Sequence, residues 1–80
     1  MSGNFKKKYD SKEIGKIVRS TRKKLGVTQR SLALTSGTGL RFIIELEQGK
    51  PTVQLEKVLT VLRTLGVELR WRKVPATLDN

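Results

Sequence analysis

Between Val27 and Lys50 the sequence VTQRSLALTSGTGLRFIIELEQGK has room for two short helices and one tight turn. Thr28 supplies a side-chain oxygen for a helix N-terminus, with Gln29 at the first helical position. Leu32 and Ala33 face inward, and Ala33 is small enough to let a second helix backbone come close. Ser36-Gly37 ends this helix and makes the turn. Thr38 or Gly39 opens the next helix, whose inward residues are Ile43 and Leu46. Gly49 ends it, and Pro51, which has no N–H to donate, prevents its continuation. Phe42 and Ile44 are more apolar than an exposed face requires, so at least one packs in the core or against a partner.

The flanking sequence braces that pair. Residues 1–9 read as a flexible basic arm, with Lys6, Lys7 and Lys8 in a row. A first helix is expected over residues 10–25, with Asp10 as N-cap and Glu13 completing a capping box. Ile14, Ile17, Val18, Thr21 and Leu25 share one helical face, and Gly26 stops the helix after Lys23 and Lys24. After the central pair, Thr52 is expected to cap a further helix running to about Leu65. Its main stripe is Leu55, Val58, Leu59, Leu62 and Leu65, with Val61 outside it and Gly66 at its end.

From residue 67 to 74, VELRWRKV, the period changes to two. Val67, Leu69 and Trp71 point one way; Glu68, Arg70 and Arg72 point the other. This reads as a strand with no second strand in the chain to pair with. A lone strand leaves N–H and C=O groups open on its edges. The same strand from a second copy, antiparallel across a two-fold axis, would satisfy them, with Glu68 opposite Arg72 or Arg70 of the partner subunit. Residues 75–80 read as a loose tail.

At 80 residues the chain suffices for one small domain with a modest core, a size at which disulfides, metals or oligomerisation usually add stability. It contains no Cys and no His, which removes disulfides and Cys/His zinc sites and leaves oligomerisation. No cofactor is expected. Charge is uneven. Residues 1–50 hold 12 basic and 4 acidic residues, net +8, whereas residues 51–80 hold 5 and 3, net +2. A basic front and a nearly neutral back suggest a polyanion partner. No apolar run reaches the ~20 residues of a membrane span, and no apolar run follows the N-terminal lysines as in a signal peptide. A cytoplasmic, nucleoid-associated protein is the expectation. An enzyme has little to stand on: there is no phosphate loop, and the seven carboxylates suggest no paired site.

Two short helices, a glycine turn, a small residue at the crossing and a basic surround form the helix-turn-helix pattern. Val27-Thr28-Gln29, Leu32-Ala33, Gly37-Thr38, Ile43, Leu46-Glu47 and Gly49-Lys50 resemble the phage-repressor, or Xre/Cro-type, DNA-binding family. The resemblance covers residues 14–66. It implies a mainly α bundle of four to five helices over residues 10–66, here followed by the strand over 67–74 pairing across a homodimer. It also implies roles. Gly39, Leu40, Arg41 and Glu45 match base-facing positions of the recognition helix. Arg41 is the strongest candidate for direct readout, because Arg can bind guanine O6/N7 with two hydrogen bonds. Glu45 would accept from a cytosine amine or orient Arg41. Lys24, Gln29, Arg30, Thr38 and Lys50 match DNA-backbone positions. Arg22 and Glu47 match a structural ion pair tying the first helix to the end of the third. Leu40 and Phe42 depart from the family, standing where polar residues are usual.

Within the family, PTVQLEKVLTVLRTLGVEL is similar to the HipB-like antitoxin branch. That resemblance implies a dimeric repressor that binds an inverted-repeat operator in double-stranded DNA, regulates its own operon and binds a HipA-like kinase toxin. The alternative is a stand-alone Xre-type regulator or restriction-modification controller with no toxin.

Overall fold

A computed structural model of the chain describes residues 10–77, and the basic arm at 1–9 lies outside the described residues. Four helices follow one another: α1 (Ser11–Lys24), α2 (Gln29–Ser36), α3 (Leu40–Glu47) and α4 (Leu55–Thr64). Gly26, Gly37, Gly49 and Gly66 lie just past their ends, each at positive φ between 71° and 83°. All four ends close in the same way. The glycine N–H returns to the carbonyl three residues back, and the next N–H returns five residues back, as from Val27 to Arg22 and from Val67 to Leu62. This pair of bonds satisfies carbonyls that a helix end otherwise leaves open, and only glycine takes up the required φ without steric cost.

The helix starts differ. At α1 the Asp10 carboxylate accepts from the Glu13 N–H at 3.0 Å, one half of the expected capping box. At α2 the Thr28 hydroxyl accepts from the Ser31 N–H at 3.0 Å. At α3 the N-cap is Gly39, which has no side chain to offer. α4 begins later than the sequence suggests, with Gln54 rather than Thr52 as N-cap and no side-chain cap bond. Val53, just before the cap, and Val58, four residues into the helix, line one apolar groove, the arrangement of a hydrophobic staple. Apolar packing, rather than a threonine hydroxyl, therefore positions this start.

α3 packs against α1 and α2, and α2 also packs against α4. Val18, Leu32, Ile43 and Val61 are the largest fully buried side chains. Ala33, Leu46, Val58, Leu62 and Leu65 complete the buried cluster, with Phe42 among the half-buried residues packed on it. Two expected faces are rotated. In α1, Ile17 and Leu25 are exposed and the buried line is Gly15, Val18 and Arg22. The cause is Gly15: a Cβ there would lie 2.5 Å from the Leu46 carbonyl oxygen, so α1 presents its bare backbone to the end of α3. In α4, Val61 is buried with Val58, Leu62 and Leu65, while Leu55 is exposed. These four recur at i, i+3, i+4 and i+7, a regular helical face that keeps Val58, Leu62 and Leu65 of the expected stripe, adds Val61 and leaves Leu55 outside.

Beyond α4 the described residues contain no helix and no β-strand. The strand expected over 67–74 is therefore not formed in the single chain, where the segment has no ladder partner. None of the four helices is long and apolar enough to cross a membrane.

Candidate nucleic-acid interface

The centre of the site is a set of polar bonds on Glu47, the last residue of α3. Arg22 Nε donates to Glu47 Oε2 at 2.6 Å, and Arg22 Nη2 donates to Oε1 at 3.0 Å. Arg22 Nη1 also donates to the Val27 carbonyl at 2.8 Å, in the link between α1 and α2. Gln29 Nε2 donates to Glu47 Oε1 at 3.0 Å. One carboxylate thus joins α1, the start of α2 and the end of α3. The two charged side chains are almost fully buried, at 10% and 4% exposure. No buried side-chain nitrogen or oxygen among the described residues lacks a hydrogen-bond partner. The bond to Glu47 holds the Arg22 guanidinium above its ordinary pKa, opposed by burial and reinforced by the carboxylate's charge. Arg22 therefore stays charged and the lock has no guanidinium switch near neutral pH. A two-pronged charged pair fixes orientation as well as distance, which is what a rigid platform for α3 requires.

On the outer side of α3 the cations gather around Glu45. Lys50 Nζ lies 3.3 Å from Glu45 Oε1, and Arg41 Nη1 lies 3.8 Å from Oε2. Arg41 remains 84% exposed, free to leave this loose contact for another acceptor. Exposed pairs of this kind are worth little, typically below ~1 kcal/mol, so exchanging them for a stronger anion is easy. Glu45 is thus placed to orient Arg41 while leaving the guanidinium accessible.

The remaining positions divide. Gly39, Lys24 and Arg30 are exposed. Leu40 is half-buried and packs on the core, so part of its apolar surface supports α3 instead of facing outward. Thr38 is half-buried in the turn, where its hydroxyl and that of Ser36 are 2.9 Å apart. Ser36 also donates to the Leu32 carbonyl at 2.7 Å, so the turn is held by side chains as well as by Gly37. Gln29 is committed to Glu47 through one amide hydrogen. Hydrogen bonds and ion pairs unite Arg22, Gln29 and Glu47, and separately Arg41, Glu45 and Lys50; among the described residues they do not tie Lys24, Arg30 or Thr38 to either group. Sequence reasoning missed Gly15 and the Ser36 bond. A glycine inside a helix costs up to ~1 kcal/mol relative to alanine, and that cost was the available signal for a close crossing.

A helix-turn-helix family model matches residues 18–72, more than half of the chain. The chain belongs to the Xre-type helix-turn-helix family. The match begins at Val18, the buried α1 residue, and continues beyond α4 to Arg72. A relative described as the uncharacterized HTH-type transcriptional regulator y4mF, from Sinorhizobium fredii, is 53% identical over 57 residues. The aligned region covers 71% of this chain and 75% of that relative.

Proposed function

We propose that the chain is a sequence-specific, DNA-binding transcriptional repressor that works as a homodimer on an inverted-repeat operator. The observation that carries this reading is the exposed Arg41 on α3, a helix whose far end is locked by Arg22, Glu47 and Gln29. α3 enters the major groove and Arg41 reads a guanine edge, with Glu45 releasing it or accepting from a neighbouring cytosine. Lys24, Arg30, Thr38, Lys50 and the free part of the Gln29 amide meet phosphates, which fix register without reading sequence. The relative from Sinorhizobium fredii, described as a transcriptional regulator, supports the same class of activity. The 67–74 segment pairs two copies, so that each operator half-site receives one recognition helix.

The finer proposal is that this repressor is the antitoxin of a HipBA-like operon. In that role it represses its own operon and binds a HipA-like kinase toxin. It is supported by the likeness of residues 51–69 to the HipB-like branch. The second reading, a stand-alone regulator or restriction-modification controller, is supported by the relative's description, which names regulation alone. A kinase-like gene in the same operon, or a kinase that co-purifies, selects the first; a neighbourhood without one removes it.

The DNA reading is tested by binding-site selection followed by salt titration. Each neutralised phosphate contributes about −0.9 to the log–log salt slope, and a slope near zero would end the proposal. Arg41→Ala should cost ~1–3 kcal/mol at one base position and relax specificity there. A uniform loss on every sequence would make Arg41 a phosphate contact instead.

A further inference from the structure

The residues after α4 expose large apolar side chains that no described residue covers: Leu69, Trp71 and Val74 are 46%, 87% and 64% accessible. Two contacts in this segment determine how a second copy can meet it. The first is the Val67 N–H, which donates to the Leu62 carbonyl at 2.8 Å. In an extended strand the N–H and C=O groups of alternate residues point to the same edge. The edge that carries Val67, Leu69 and Trp71 therefore begins against the chain's own helix end. The opposite edge, with the backbone groups of Glu68, Arg70 and Arg72, is open. The second contact is the pair between Arg70 Nη2 and Glu68 Oε1 at 3.4 Å. Residues two apart that touch through their side chains share a face, so Val67, Leu69 and Trp71 share the other.

A two-fold antiparallel pairing makes one residue face its own copy, and that choice sets every other pair. With Arg70 on the axis, Glu68 opposes the partner's Arg72 and Leu69 opposes the partner's Trp71 in both directions, but Arg70 opposes the partner's Arg70 and Val67 opposes the partner's Lys73. With Trp71 on the axis, Arg70 opposes the partner's Arg72 twice over, and Leu69 opposes the partner's Lys73. With Leu69 on the axis, Glu68 opposes the partner's Arg70 in both directions, and Val67 opposes the partner's Trp71. Like charges directly opposite each other destabilise a sheet, whereas opposite charges and apolar pairs stabilise it. We propose that two copies pair through the Glu68/Arg70/Arg72 backbone edge with Leu69 on the two-fold axis. This rests on the homodimer of the preceding subsection and adds its edge and register. Glu68 and Arg70 exchange backbone hydrogen bonds with the partner subunit and trade their two weak internal ion pairs, one per chain, for two between subunits. Val67, Leu69 and Trp71 form a continuous apolar ladder on the other face.

Charge reversal tests the register in the full chain, with dimerisation followed by sedimentation at graded concentration. Glu68→Arg and Arg70→Glu should each weaken the dimer roughly tenfold, and the two together should restore it to within about threefold. Restoration by Glu68→Arg with Arg72→Glu instead, and not by the first combination, would place Arg70 on the axis and overturn the proposal. A cysteine scan gives an independent readout, since the chain has no Cys. A self-opposed pair without backbone bonds has its Cα atoms about 4.5 Å apart, within disulfide reach. Leu69→Cys should form a covalent dimer under mild oxidation faster than Arg70→Cys or Trp71→Cys; the reverse order overturns the register. A dimer indifferent to all of these changes defeats the register and leaves the homodimer standing. A wild-type chain that sediments as a monomer at every concentration defeats both.

Discussion

The bundle over residues 11–65 and the segment that follows it solve the same problem in opposite ways. In the bundle, Val18, Ile43 and Val61 are fully buried, and the buried Arg22 makes three hydrogen bonds, two of them to Glu47. The segment after it keeps a tryptophan 87% exposed, and among its described residues Val67 alone ties its backbone to the bundle by a hydrogen bond. Both stretches are rich in apolar residues with clear periodicity. The difference lies in partners. A helix satisfies its backbone within itself, so four amphipathic helices close a core in one chain. The segment after α4 forms neither a helix nor a strand among the described residues, so its backbone has no such internal ladder.

Substitutions on the two sides should separate accordingly. Ile43→Ala removes a fully buried side chain at the centre of the bundle and should cost about 4 kcal/mol in denaturant unfolding. A loss below ~1 kcal/mol would mean that the core is far looser than its burial indicates. Arg22→Ala leaves the Glu47 carboxylate buried without its cation and should cost about 3 kcal/mol. Arg22→Lys should recover only part of it, because an ammonium cannot reproduce the two-pronged contact. Gly15→Ala should destabilise by about 2 kcal/mol, since the new methyl meets the Leu46 and Glu47 carbonyl oxygens. Helix propensity alone favours the change by about 1 kcal/mol, so the sign of the result decides whether the close crossing is real. Trp71→Ala should alter unfolding by less than about 0.5 kcal/mol at concentrations where the chain is monomeric. An effect above ~1 kcal/mol there would show that Trp71 belongs to the bundle and would break the contrast.

Much of this arrangement was legible in the residues. The four glycines marked all four helix ends, because a left-handed cap is a local requirement. Asp10 and Thr28 marked two helix starts, because a side-chain oxygen three residues ahead of a free N–H is also local. Leu32, Ala33, Ile43 and Leu46 identified the inner faces of α2 and α3 by period alone. What misled was the bearing of α1 and α4. Ile17 and Leu25 look as buriable as Val18, and Leu55 as buriable as Val61. The choice among them depends on where the neighbouring helix lies.

The candidate site divides along the same line. Sequence spacing placed Arg41 and Glu45 one helical turn apart, since i and i+4 always adjoin on a helix. That Lys50 folds back onto the same Glu45 was decided by the turn at Gly49. The threefold use of Glu47 was likewise decided by tertiary structure, which brings Arg22 and Gln29 to one carboxylate from positions 25 and 18 residues away. The sequence by itself determined where the four helices end and where α1 and α2 begin, because those caps are local. Only packing decided the bearing of α1 and α4, and for α1 that depends on the place where Gly15 shows bare backbone to the end of α3.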